Sequence, residues 1–335
     1  MTISIKDVAR AAGVSPATVS RALGNGPVSA ALRAQVAAAV QKTGYRPNLS
    51  ARRLRSQESL TIGLIVADIS NPFFTAVARA VENAAYQAGL RVILCNTDEN
   101  PEKEAMYLQL MEEERVTGVI FAPTRVTAER LGRLDQKFPI VLIDRATAAA
   151  GRDAVVLDNE AAAGTLVEHL FAAGYRRIAG LFGNASTTGI ERHAGYAAAM
   201  ARLNLTPAAT FVAPSIAAAE AEVLAWFESA AAPEAAPEAV IASNGLLLLG
   251  VVRGMRAARR QIPRDLAVAG FDNETWTELV GPGLTVIEQP VAEIGRAAMS
   301  LLLERLESPG AAIRKIVLGG TCVARGSTAR IMAPI

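Results

Sequence analysis

From Leu60 onward the chain alternates short apolar runs with amphipathic stretches of ten or more residues, and this rhythm constrains the fold more than any other feature. TIGLIVADI (61–69) reads as a buried strand, Phe73 to Gly89 as a helix and RVILCN (91–96) as a second strand. Glu102 to Arg115 reads as a helix, TGVIFAP as a strand, Ala128 to Lys137 as a helix and PIVLID as a strand. Strands that are apolar throughout, rather than at every second residue, are covered on both faces, as in a parallel sheet with crossover helices. The rhythm restarts after Val155: helix Ala161 to Ala173, strand RIAGLFG, helix Glu191 to Leu203 and a strand near Phe211. Helix Glu220 to Ala230, strand AVIAS, helix Leu247 to Ala258 and strand LAVAGFD follow. A last helix, Val291 to Leu306, precedes the closing strands IRKIVLGG and TCVARGST. Two such halves predict an α/β core of two lobes, with parallel sheets covered by helices on both faces. Strands that end in polar residues predict a ligand cleft at their C-termini. The Ala/Pro run at 230–239 reads as a surface loop.

The N-terminus is built differently. Ile5, Val8, Ala9 and Ala12 form the apolar stripe of a short helix, which Gly13 stops. Ser15 is placed to cap a second helix, Pro16 to Leu23, with proline at its first position. Val19 turns inward with Ala22 or Leu23, leaving Ala17, Thr18, Ser20 and Arg21 outward. Two short helices around a glycine-containing turn, the second with a slim polar face, form a helix-turn-helix. A third helical pattern starts at Ser29, carries Leu32, Val36 and Val40, and ends at Gly44. After an extended link at Tyr45 to Asn48, Leu49 to Arg55 is helix-capable but marginal alone. Folding on DNA and a solvated linker are both open readings of that segment.

Charge separates the two regions. Through residue 57 nine basic residues face Asp7 alone, a surplus of +8, while the remainder carries −6 in a chain of net +2. A basic head on a mildly acidic body suits binding to a polyanion. The expected organisation is a helix-turn-helix domain over 1–47, a hinge helix and linker over 48–59, and a two-lobed core over 60–335. No apolar run approaches the length of a membrane span, and no signal-peptide core precedes the first helix, so a cytoplasmic protein is expected. Cys95 and Cys322 read as reduced core residues, and with His169 and His193 the only histidines, no metal or cofactor is expected. The sheet lacks a G-x-G-x-x-G after its first strand, a Walker loop and a G-x-S-x-G, which opposes an enzyme. His193 beside Arg192 could mimic a catalytic histidine, but a cleft or helix-surface role is preferred. A sugar-binding protein without DNA function is opposed by the basic head.

SIKDVARAAGVSPATVSRAL and GYRPNLSARRLRS resemble the DNA-binding head and hinge of the LacI/GalR family of bacterial transcriptional regulators. TIGLIVADISNPFF, RVTGVIF, LVEHLFAAGYRRIAGL, VAGFDN, LTVIEQP and VARGST resemble landmarks of that family's core, which is similar to periplasmic sugar receptors. The resemblance implies that Pro16, Ala17 and Arg21 meet base edges in the major groove of a palindromic operator. Arg21 is the one side chain there able to grip guanine bidentately. Ser15, Thr18 and Ser20 would hold the backbone. Leu54 would wedge into the minor groove, lined also by Asn48, Ala51, Arg52 and Arg55. One such hinge is too short to act alone, which implies a homodimer. The chain ends soon after VARGST without a leucine-heptad helix, so a dimer rather than a tetramer is expected, with Phe73 to Gly89 and Glu102 to Arg115 as candidate interface helices. A phosphocarrier protein as further partner, as in catabolite-control relatives, is not singled out.

For the effector the resemblance implies Asn71, Phe73 and Phe74 at a first-lobe strand end, then Asp144 and Arg145 after PIVLI. Arg192 opens a second-lobe helix, and Asn244, Asp272 and Gln289 sit at later strand ends. Many relatives have an aspartate where Gly245 stands here, and Arg125 is a further candidate for the cleft. Fewer carboxylates with the arginines kept would leave a positive pocket, with Trp276 as a wall. The expectation is therefore a sugar acid such as 2-ketogluconate, since GNASTTGIERHAGY and WTELVGPGLTVIEQP are similar to regulators of ketogluconate use; a neutral pentose or hexose such as ribose is the alternative. Inducer and corepressor are both open.

Overall fold

The structure, a computed structural model, describes residues 4–23, 27–45, 59–229 and 236–330. The expectations for Asn48, Ala51, Arg52, Leu54 and Arg55 lie outside the described residues. By its contacts the chain divides into two compact units, 1–59 and 60–335.

In the first unit α1 (Ile5–Ala11), α2 (Pro16–Leu23) and α3 (Ala30–Thr43) close on a small core of Val8, Ala9, Ala12, Val19, Val36 and Ala39. Each helix start is capped from the sequence. The backbone N–H and hydroxyl of Ser4 both donate to Asp7, which holds that carboxyl below its usual range. Ser15 and Ser29 accept from the backbone N–H groups of Thr18 and Leu32. Gly13 and Gly44 take the left-handed backbone that ends α1 and α3. The Gln35 amide ties α3 to the turn by donating to the Ala12 carbonyl at 2.9 Å.

The second unit follows strand by strand. Its first part runs β1 (Thr61–Val66), α4 (Pro72–Gln87), β2 (Arg91–Asn96), α5 (Pro101–Glu113), β3 (Gly118–Phe121), α6 (Arg125–Arg130), β4 (Ile140–Ile143) and β5 (Asp153–Leu157). Then come α7 (Asn159–Ala172), β6 (Ile178–Gly183), α8 (Thr187–Arg202), β7 (Ala208–Val212), α9 (Ile216–Ser229), β8 (Ala239–Ala242), α10 (Gly245–Ala257) and β9 (Ala267–Phe271). The last part is α11 (Thr275–Leu279), β10 (Thr285–Glu288), α12 (Val291–Glu307), β11 (Lys315–Leu318) and β12 (Thr321–Val323). They form two six-stranded sheets, in the orders β11-β5-β4-β3-β1-β2 and β12-β10-β9-β8-β6-β7. All pairings are parallel except β10 with β12.

Each sheet is apolar on both faces. In the first lobe α4 and α12 cover one face, through Phe74, Val77, Val81, Ile294 and Leu302, while α5 covers the other through Leu108 and Met111. In the second lobe α7 and α8 lie on one face and α9 and α10 on the other. Cys95 and Cys322 are free thiols on different sheets. Among the described residues no helix is long and apolar enough to cross a membrane.

The lobes are not two consecutive halves of the chain. The chain passes between them after β5, again at Gln289-Pro290, and again at Gly319-Gly320, so α12 and β11 complete the first lobe and β12 the second. Local periodicity carries no information on which sheet a strand joins. The helix expected from Ala128 to Lys137 instead starts at Arg125, because the Thr124 hydroxyl caps it, and gives way to a 3₁₀ turn at Leu131–Arg133. Likewise α8 starts at Thr187, capped by Ser186, rather than at Glu191.

The returning segment is fastened by one buried pair. The Arg305 guanidinium on α12 donates to both oxygens of Asp153 at the start of β5 (2.9 and 3.0 Å), and the Arg314 N–H adds a third bond at 2.8 Å. Asp153 is 3 % exposed. Removing one partner of such a pair leaves an uncompensated charge. Asp153→Ala is therefore expected to lower the unfolding free energy by about 3 kcal/mol in denaturant titration. A loss below about 0.5 kcal/mol, the level of an ordinary surface change, would show that the pair does not secure the crossing.

Candidate functional sites

The first candidate is the outer face of α2. Its first turn is fixed by the Ser15 cap and by a 2.8 Å contact between the Ser15 and Thr18 hydroxyls. Val19 and Ala22 face the core, Pro16, Ala17 and Arg21 are exposed, and Thr18 and Ser20 are half-buried. Arg21 donates from Nε to the Ala17 carbonyl one turn back at 3.4 Å; the rest of its guanidinium has no partner among the described residues. Lys6, Arg10, Arg33 and Lys42 are exposed on the same unit. A thin face of small side chains with one arginine fork is a surface that can enter a major groove and grip a base edge.

The second candidate is a cleft between the two lobes of the core. Its first-lobe wall brings together Asn71, Phe73, Phe74, Asp144 and Arg145; its second-lobe wall holds Arg192, Asn244, Asp272 and, on a crossing segment, Gln289. All but Arg192 come from the end of a strand or the start of a helix; Arg192, expected to open its helix, lies in the second turn of α8 because that helix starts at Thr187. Asn71 and Asn244 cap α4 and α10 through their side-chain oxygens, leaving their amide groups directed by the cap. Asp144 and Asp272 follow β4 and β9 directly, both with positive φ (63° and 77°), a strained backbone for a non-glycine residue. Phe73 and Phe74 meet edge to face at 5.1 Å and serve two roles, packing into the first-lobe core and lining the cleft.

Hydrogen bonds fix the second-lobe wall. Asp272 accepts from the Gly245 N–H at 2.8 Å and from the Gln289 amide at 2.6 Å. Gln289, 6 % exposed, thereby turns its Oε1 to a place where it has no partner among the described residues. A buried acceptor of this kind calls for a donor. Arg192 donates from Nε to Asn159 at 2.7 Å and from Nη1 to the Ser243 carbonyl at 2.5 Å, and it stacks 4.0 Å over the Phe271 ring. Asn159 in turn donates to Glu191 at 2.7 Å. Nη2 of Arg192 is left without a hydrogen bond among the described residues. Burial works against the Arg192 charge and lowers its pKa, opposed by Asp272 and Asp144. Burial likewise pushes the Asp144 carboxyl up, against the pull of Arg145 and Arg192.

Two expected residues are elsewhere. Arg125 is the first residue of α6 and exposed, since the Thr124 cap turns the helix away from the cleft. Trp276 packs on the α10 side of the second-lobe core and donates its indole N–H to Glu274 at 2.6 Å, so it is not a cleft wall. Glu274 also bears on the glycine at 245. A Cβ there would lie 2.7 Å from Glu274 Oε1 and 3.3 Å from Asp272 Oδ2, so a carboxylate already occupies the room that a side chain would need. Burial pushes the Glu274 carboxyl up.

The expected positive excess is absent as well. Asp68, Glu99, Asp144 and Asp272 line the cleft against Arg145 and Arg192. Asp68 was legible, since it lies two residues past β1, on the strand-end side where Asp144 follows β4. Asn159, Ser186 and Thr188 were not singled out, and Glu99, in a turn after β2, carries no local signal.

Residues 4–48 match the family model of bacterial regulatory proteins of the lacI family, and residues 167–328 match a periplasmic binding protein-like domain. The HTH-type transcriptional regulator PtxS of Pseudomonas plecoglossicida is 34 % identical over 333 residues, covering 97 % of this chain and 96 % of that protein. The ribose operon repressor of Halalkalibacterium halodurans is 34 % identical over 309 residues, covering 91 % and 90 %. Among solved structures, the lac repressor dimer bound to operator and the anti-inducer ONPF superposes with a TM-score of 0.87 over 98 % of this chain and 100 % of that one, at 23 % identity, a likeness of fold. Given head, cleft and near-full-length relatives, this chain belongs to the lacI family of bacterial regulatory proteins.

Proposed function

We propose that the chain is a cytoplasmic, homodimeric repressor that binds a palindromic operator and is controlled by a small sugar or sugar acid held between the lobes of its core. The observation that carries this reading is the pairing, in one chain, of an exposed recognition face on α2 with a cleft lined by Arg192 and by Gln289, whose buried Oε1 has no partner among the described residues. A polyhydroxyl ligand supplies what such a site lacks: donors for the carboxylates and Gln289, acceptors for Arg192, and a C–H face for Phe73 and Phe74. The relatives include one named for ribose, which supports a sugar.

On this reading α2 lies in the major groove with Arg21 on a guanine edge, while Leu54, between Arg52 and Arg55, wedges into the minor groove at the centre of symmetry. Ligand contacts with both walls change the angle between the lobes about the three crossings, one of which carries Gln289 itself. In the dimer that change separates the paired hinges and releases the operator, and the operator opposes ligand binding by the same factor.

Arg21→Ala is expected to weaken specific operator binding by about 10- to 100-fold, the worth of one bidentate base contact, while weak salt-sensitive binding remains. Fluorescence anisotropy on operator and scrambled duplexes reads this; undiminished preference for the operator would remove Arg21 from the readout. Leu54→Ala should reduce DNA bending and affinity while ligand binding stays intact, and unchanged bending in a circular-permutation gel would refute the wedge. Gln289→Leu should weaken ligand binding at least about tenfold by calorimetry, the scale of a lost buried hydrogen bond, with operator binding in the absence of ligand unchanged. Equal affinity in the variant would mean that the ligand does not reach that oxygen.

A further inference from the structure

The Arg145 guanidinium, 5 % exposed as a residue and facing the cleft, is filled from within the protein. Its two terminal nitrogens donate to the two oxygens of Glu99 at 2.6 and 2.5 Å, and its Nε donates to Asp144 at 3.1 Å. This fork-to-fork geometry is the one an arginine offers to the carboxylate of a ligand. Burial works against the Arg145 charge, but the bonds and charge of Glu99, then Asp144, outweigh it and hold the guanidinium above its usual value.

Glu99 is brought there by an unusual turn. Asp98 and Glu99 both have positive φ, 52° and 56°, a backbone that side chains other than glycine rarely adopt. The turn is pinned by the Glu99 N–H to the Ala67 carbonyl at 3.1 Å, and by Asn96 and Lys103 on Asp98. A free carboxylate would have to displace one that is tethered beside the fork at high effective concentration. It would also enter a cleft already lined by three further carboxylates, Asp68, Asp144 and Asp272.

We propose that Glu99 sets the charge class of the ligand: by closing the Arg145 fork it makes the cleft a site for an uncharged polyhydroxyl sugar and excludes sugar acids. The proposal rests on the effector reading above and narrows it. Each nitrogen of Arg145 already donates to Glu99 or Asp144, so the sugar hydroxyls address chiefly the remaining lone pairs of the carboxylates and Gln289, and the other cleft-lining cation, Arg192.

The test is calorimetric titration of the full-length wild type and Glu99→Gln with matched pairs: ribose and ribonate, glucose and gluconate, galactose and galactonate, with 2-ketogluconate added. Wild type is expected to bind the neutral member of at least one pair at least tenfold more tightly than its acid, and Glu99→Gln to reverse that preference. Wild type binding any of the acids more tightly than every neutral sugar overturns the proposal and leaves the effector reading standing. An unreversed preference in folded Glu99→Gln, checked by circular dichroism, overturns the role of Glu99. If that variant does not fold, Glu99→Asp, which keeps the charge but shortens the reach, takes its place, and acid binding improved at least tenfold in it is the supporting result and no improvement the overturning one. Failure of wild type to bind any of the seven compounds overturns the effector reading and the proposal together.

Discussion

Two guanidinium groups, those of Arg145 and Arg192, are held almost wholly out of water at the junction of two lobes, and the cleft is arranged around that constraint. A cation there persists only if fixed partners surround it. Arg145 is met by Glu99 and Asp144, a local neutralisation that leaves it rigid. Arg192 is met more sparingly, by the Asn159 amide oxygen, the Ser243 carbonyl and the face of Phe271, with Asp272 and Asp144 acting at a distance. The contrast gives the two walls different characters: the first lobe presents a closed ion pair, the second a cation with a donor still to place.

The scaffold explains why such groups can be assembled at all. Parallel strands end together, so the residues just after them converge on one edge of each sheet. Here two sheets bring their carboxyl ends to the same cleft, supplying Asp68 and Asp144 from one and Asp272 from the other. Gln289 bonds to Asp272 while sitting on a segment that passes between lobes, which puts a cleft-lining residue on an element that must move if the lobes reorient. Such a placement lets a small molecule act on the geometry of the whole core rather than on one wall.

Much of this was legible in the chain. Buried strands and their helices stand out as unbroken apolar runs beside amphipathic ones, and the caps at Ser15, Ser29 and Gly44 are written in single residues. Asp144, Arg145, Asp272 and Gln289, which the family resemblance implied, all line the cleft, each just after a strand. Arg125 misled because its neighbour Thr124 starts a helix that turns it to solvent, and Trp276 because Glu274 and an apolar face claim it first. The crossings of α12 and β11 were hidden, since sheet membership is decided by long-range packing that no local pattern records. Glu99 was hidden too: its role depends on a backbone turn and on an arginine 46 residues away.

The central claim is that one molecule in the cleft and one operator on the head are read by the same conformational equilibrium. Linkage makes that claim quantitative, because the factor by which ligand changes operator affinity must equal the factor by which operator changes ligand affinity. Operator anisotropy with and without saturating sugar, set beside sugar calorimetry with and without saturating operator, measures both. The account predicts equal factors of at least about fivefold, in the range of ordinary allosteric coupling. An operator affinity that does not change when the cleft is saturated would contradict it.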